Sequence, residues 1–139
     1  MKTRLLVACA LLLALGCSQT PSQSLYQQLG EEAGIAAITD GLLHQIEHDP
    51  LIVGHFRDTD IPRFRRLLIE QLCELSGGPC QYSGATMEES HTGLHLTTRD
   101  FDRLVNHLIT AMQQQKVPYG AQNRLLAMLA PMYPEVIDR

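Results

Sequence analysis

The stretch M-E-E-S-H-T-G-L-H-L-T-T-R-D-F-D-R-L-V, residues 87–105, carries two histidines four residues apart, His91 and His95. On one continuous helix that spacing stacks both imidazoles on a single face, a common way to hold zinc. The intervening residues argue against a continuous helix. Gly93 costs about 1 kcal/mol relative to alanine in a helix interior. Thr97, followed three residues later by Asp100, resembles a capping box with aspartate in place of glutamate. A helix that begins near Thr98 leaves His95 in the preceding turn, so the two rings need not share a face. No glutamate follows His91, so the H-E-x-x-H arrangement of zinc proteases is absent too. The stretch predicts a short, weak helix over 87–94, a turn, and a long helix with Phe101, Leu104, Val105, Leu108 and Met112 inside.

Outward from this segment the periodicity stays helical. Ile35, Ile38, Leu42 and Ile46 recur at three- and four-residue steps and define one buried stripe. Asp49-Pro50 stops that helix, because a residue before proline avoids the helical region. A loop holding His55 and Phe56 follows. Asp58, Thr59 or Asp60 caps the next helix, with Pro62 in its first turn. Ile61, Phe64, Leu68, Leu72 and Leu75 form its apolar face, and Gly77-Gly78-Pro79 ends it. Lys116-Val117-Pro118 closes the long helix after Thr98. A last helix carries Leu125, Leu126, Met128, Leu129 and Met132. No strand and no internal repeat is predicted. The fold class is all-α, with four substantial helices and one or two short ones.

The chain has 139 residues, room for one domain. Its start has the shape of a secretory signal: Lys2 and Arg4, then an uncharged apolar run from Leu5 to Leu15. The run is too short to span a bilayer, which needs about 20 residues. It closes on A-L-G-C at 14–17, which resembles a bacterial lipoprotein cleavage site, although Ala14 stands where leucine is usual. The expected division is a signal peptide at 1–16, a polar tether at 17–24 and a globular domain at 25–139. Cys17 would carry lipid and anchor the chain to a membrane facing the periplasm. Ser18 in place of aspartate favours the outer membrane. Removing Lys2 and Arg4 from the 11 basic residues leaves nine against 15 acidic ones, a mature net charge of −6. Such a chain, with no basic run, is a poor candidate for nucleic acid. Cys73 and Cys80 remain as a pair flanking a turn. A disulfide is the first reading in an oxidising compartment; free thiols or a metal pair are the alternatives.

A histidine acting alone suits axial ligation of haem iron, which needs an imidazole at the wall of an apolar slot. From this point the whole pattern resembles the group I truncated haemoglobins. S-L-Y-Q-Q-L-G at 24–30 is similar to their opening, and D-P at 49–50 followed by Phe56 to their central loop. G-G-P-x-x-Y-x-G at 77–84 is close to their glycine motif. M-x-x-x-H-x-G-L-x-L-T at 87–97 with F-D-x-L-V-x-H-L at 101–108 resembles the segment that bears the proximal histidine. A-P at 130–131 fits the last helix. The resemblance runs from residue 24 to about 137 and implies a two-over-two helical sandwich holding haem (iron protoporphyrin IX).

Carried over by position, His91 is the proximal iron ligand and Phe56 packs on the haem face. Leu94, Leu96, Phe101 and Leu126 are expected wall residues. The distal side departs from the family. Counting back from Asp49-Pro50, Leu42-Leu43 fills the place of a phenylalanine–tyrosine pair, so Leu43 stands where a hydroxyl normally hydrogen-bonds the bound gas. Leu68 stands where a glutamine is frequent, with Phe64 one turn earlier. The expected pocket is apolar and releases oxygen fast, whereas carbon monoxide and nitric oxide are less affected. His44 and His55 are the candidates for a distal polar group or sixth ligand. His48 and His107 read as surface residues. One of Arg63, Arg65 and Arg66 is a candidate partner for a haem propionate. The implied function is reversible binding of O2, CO or NO. The alternatives are a haem enzyme oxidising nitric oxide or using peroxide, served by an unknown reductase, and a structural lipoprotein without cofactor.

Overall fold

A computed structural model describes residues 22–137 and Arg139, and every regular element among them is helical. The expected signal segment and Cys17 lie outside the described residues. Helix α1 (Leu25–Gln28) is a single turn that periodicity does not reveal. Its signal is a capping box: the Ser24 hydroxyl accepts from the Gln27 amide, and the Gln27 side chain accepts from the Ser24 amide. Ser24 is thus the helix cap, and the expected tether loses its last residue to the folded domain.

Helix α2 (Glu31–Glu47) buries Ile35, Ile38, Leu42 and Ile46 as the periodicity predicts, together with Thr39. Asp49 then turns inward and is only 7% exposed. Its Oδ1 accepts from the Leu51 amide at 3.0 Å. Its Oδ2 lies 2.7 Å from Arg103 Nε and 2.6 Å from His107 Nε2. His107, expected at the surface, is therefore half-buried and helps tie the end of α2 to α5. Burial opposes the Asp49 charge. The Leu51 amide, His107 and Arg103 outweigh it and hold the carboxyl below its ordinary range.

After a 3-10 turn at Val53–Phe56, helix α3 (Ile61–Leu75) starts from Asp60, whose side chain accepts from the Arg63 amide at 3.0 Å. Cys73, near its end, is bonded to Cys80. Helix α4 (Met87–His91) and helix α5 (Thr98–Gln114) follow. The expected last helix is divided. Helix α6 (Tyr119–Leu129) gives way to a 3-10 turn at Ala130–Met132, because Pro131 has no amide to continue the ladder. Helix α7 (Tyr133–Val136) is the last regular element among the described residues.

Helix α2 packs against both α3 and α5, α1 against α2 and α6, and α4 against α7. Gly41 allows the close approach of α2 to α5: a Cβ there would stand 3.2 Å from the Cβ of Ala111. Leu29, Ile35, Ile38, Leu72, Met112 and Leu125 are among the largest fully buried side chains. Full burial of each is worth about 1.5–3 kcal/mol. Among the described residues no helix is long and apolar enough to cross a membrane.

Candidate functional site

Helix α4 is five residues long, too short to stand on propensity alone. It is held at its start by a reciprocal cap. The Glu89 amide donates to Thr86 Oγ1 at 3.2 Å, and the Thr86 amide and hydroxyl both donate to Glu89 Oε2 at 2.9 Å. These two bonds from Thr86 hold the Glu89 carboxyl below its ordinary range. The helix stops at Thr92, whose backbone leaves the helical region; Gly93 follows in the left-handed region at φ 84°. His95 is also left-handed, at φ 50°, and is exposed. The broken-helix reading of the two histidines holds: His91 is the last residue of α4, and His95 lies outside it.

His91 is half-buried, and its Nδ1 sits 2.6 Å from the Met87 carbonyl oxygen. A carbonyl only accepts, so Nδ1 carries the proton and donates. The lone pair is left on Nε2. This is the arrangement that fixes a ligating imidazole in one tautomer and one orientation.

The ring lines a cavity of about 310 Å³. That volume falls at the lower end of small-molecule sites, about 300–1,000 Å³. Helix α3 contributes Phe64, Leu67, Leu68 and Gln71 to the wall. Helix α5 contributes Phe101, Leu104, Val105 and Leu108, and the segment between α4 and α5 contributes Leu94 and Leu96. Phe56 closes one side, its ring centroid 5.5 Å from that of Phe64. Leu94 is 41% exposed although it lines the cavity, so the slot opens to solvent beside it.

Two of the expected wall residues are not on the wall. Leu43 is half-buried on α2, and Leu42 reaches the cavity instead. Leu126 packs against the main core, and Leu129, one turn later, lines the cavity. Both shifts stay within one helical turn. Both expectations rest on position in the family pattern, whereas the periodic stripe of α2 already runs through Leu42. His44 is exposed and off the cavity wall, whereas His55 lines it. His55 Nε2 lies 3.6 Å from Asp100 Oδ1. The Thr97 hydroxyl and amide, then His55, hold Asp100 below its ordinary range against the cost of burial.

Gln71 lines the cavity and was not foreseen, because it lies next to the α3 stripe rather than within it. Its Nε2 is 3.4 Å from Met87 Sδ and 3.8 Å from Met132 Sδ. Thioether sulfur is a weak acceptor, so this amide is loosely committed. Of the three arginines, Arg65 pairs with Asp40 and Arg66 with Glu70. Arg63 has no ion pair among the described residues.

The donor set and the slot agree with each other. The wall offers the His91 imidazole with a free Nε2, mostly apolar side chains around it, and a second imidazole, His55, that faces Asp100. Among the described residues the one grouping of three metal-ligating side chains lies elsewhere, on α2. Residues and cavity thus fit a flat, apolar, iron-bearing cofactor held from one face.

An all-helical sandwich with a histidine held in one tautomer on the wall of such a slot defines a globin-like protein. The chain belongs to the bacterial-like globin family, whose model matches residues 24–137. It is 34% identical over 105 residues to a Group 1 truncated hemoglobin of Nostoc commune, covering 76% of this chain and 87% of that one. It is 26% identical over 113 residues to the Group 1 truncated hemoglobin of Mycolicibacterium paratuberculosis, covering 81% and 83%. In fold it is similar to the truncated hemoglobin of Tetrahymena pyriformis in its Fe(III) form. The TM-score is 0.80 at 23% identity, over 84% of this chain and 100% of that one. A Synechococcus 2/2 hemoglobin solved with covalently attached heme gives a TM-score of 0.78 at 20% identity, over 84% and 100%. The expected all-α, two-over-two sandwich is the observed fold.

Proposed function

We propose that this chain binds haem through His91 Nε2 and uses the site to bind a diatomic gas reversibly. The observation that carries the reading is the 2.6 Å bond from His91 Nδ1 to the Met87 carbonyl, at the wall of an apolar cavity. That bond supplies the proximal ligand in the right tautomer before any cofactor arrives. Bound there, haem would supply the iron that takes up O2, CO or NO. Phe56 and Phe64 give the slot its aromatic contact, and Leu68, Leu104 and Leu108 exclude water from it. Arg63, without an ion pair among the described residues, supplies a guanidinium for a propionate.

The gas-facing side is apolar in this reading. Variants solved for the Tetrahymena pyriformis protein change a tyrosine and two glutamines spaced twenty-one and four residues apart. Leu43, Phe64 and Leu68 have the same spacing here. Leu42, the neighbour that reaches the cavity, is apolar as well. With no donor at those positions the site favours rapid exchange over oxidative chemistry, so gas binding stands ahead of nitric oxide oxidation or peroxide turnover. Export with lipid on Cys17 rests on the sequence pattern at 1–17, and mass spectrometry of the mature N-terminus tests it.

The test of the main reading is titration of the haem-free protein with haemin. One equivalent should produce a saturable Soret band, and the reduced form should bind carbon monoxide. A protein that takes up haemin without saturation sinks the proposal.

A further inference from the structure

The last turn of α2 and the residue that caps it carry the run H-x-x-E-H: His44, Glu47 and His48. Positions three and four apart share one helix face, so the three side chains rise together. All three are exposed, and one ligand atom from each lies within 4.8 Å of the others. The two imidazole centroids are 4.3 Å apart. His48 Nδ1 is 2.8 Å from the His44 carbonyl oxygen, so this ring is oriented from its Nδ1 side and presents Nε2 as its free nitrogen. It repeats, on the surface, the device that orients His91.

The surrounding charges leave this cluster unsatisfied. Helix α2 contains no lysine or arginine. The nearby acids are already engaged, Asp40 by Arg65 and Asp49 by Arg103 and His107. Glu47 has no ion pair among the described residues. It also sits at the carboxyl end of its helix, where unpaired carbonyls already carry partial negative charge and favour a cation.

We propose that His44, Glu47 and His48 form a binding site for a borderline divalent transition-metal ion, of which zinc is the probe. Two imidazoles and one carboxylate suit zinc or copper(II), whereas magnesium and calcium prefer all-oxygen sets. Three protein ligands leave a fourth tetrahedral position for water, so the ion exchanges freely. With bonds of about 2.0–2.2 Å the ligand atoms must close to roughly 3.3 Å from one another. Exposed side chains reach this by rotamer change alone. None of the three residues lines the haem cavity, so the site is independent of the proposed function.

The experiment is calorimetric titration of the full mature chain, cleared of metal with chelator, using zinc alone and then magnesium alone. Wild type should bind one zinc ion that excess magnesium does not displace, and zinc should raise its Tm. His44→Ala with His48→Ala should weaken zinc binding by more than about tenfold and abolish the Tm shift. Glu47→Gln should weaken binding severalfold while preserving helix propensity, so it reports even if the double variant folds poorly. The Soret band of haem-loaded protein should not change in any variant. Equal zinc affinity in wild type and variants, or no zinc bound by wild type, overturns the proposal.

Discussion

The Nδ1 of His91 lies 2.6 Å from the carbonyl oxygen of Met87, one helical turn before it. Helix geometry puts a carbonyl within reach of the side chain four residues on, as it does for His48 and the His44 carbonyl at the end of α2. Helix α4 ends at His91, and the Thr92 amide makes the last bond of the turn, to the Glu88 carbonyl. The ring is therefore oriented by its own short helix. The cap at Thr86 and the break at Gly93 set that length from both sides.

The apolar gas side gives the sharpest kinetic expectation. Leu68 lines the cavity from α3. Leu68→Gln should supply a donor worth about 1–3 kcal/mol to a polarised ligand, slowing oxygen release roughly tenfold to a hundredfold. Carbon monoxide release should change much less. Stopped-flow displacement of oxygen by carbon monoxide measures both. Equal slowing of the two gases would point to a steric effect instead.

His55 lines the cavity, but its Nε2 faces Asp100 at 3.6 Å. His44 is off the wall. The ferrous, gas-free protein should therefore give a five-coordinate high-spin absorption spectrum, unchanged in His55→Leu. A six-coordinate low-spin spectrum that reverts in His55→Leu would show that the ring leaves Asp100 for the iron.

Much of this arrangement was legible in the sequence. The capping box at Thr97 and Asp100, the glycine at 93 and the isolation of His91 from His95 all follow from local rules acting within four residues. The disulfide between Cys73 and Cys80 was one of several readings, and the structure selects it. What the sequence concealed depends on contacts between distant segments. His107 looks like a surface residue until Asp49, 58 residues earlier, turns inward to meet it. Gln71 looks solvated until the sulfurs of Met87 and Met132 close over it. Leu43 comes from counting back along the family pattern, whereas the α2 stripe itself runs through Leu42, the residue that reaches the wall.

Cys73 and Cys80 close a loop with a sequence separation of 7. Replacing both with serine should cost about 2 kcal/mol of stability through the entropy of the unfolded chain. Thermal unfolding followed by circular dichroism should show a lower Tm with no change in helix content. Reduction of the wild type should have the same effect.

Asp49 makes stability depend on acidity. Its folded-state pKa is depressed, so its contribution is complete above the ordinary value of 3.8 and is lost as pH falls through the lower folded value. Asp49→Asn should lower Tm by several degrees at neutral pH. Its stability should also fall less steeply than that of wild type below pH 3.8, because the titrating group is gone. Parallel acid-unfolding curves for the two proteins would contradict this.

The most direct measurement of the central claim uses His91→Gly loaded with haem, with and without free imidazole. Removing the side chain leaves a space beside the cavity that an imidazole from solution can fill. The account predicts weak haem retention and an altered Soret band in the variant, with the wild-type ferrous spectrum restored as imidazole is added. A variant that keeps the wild-type spectrum without imidazole would show that the iron is held by another residue.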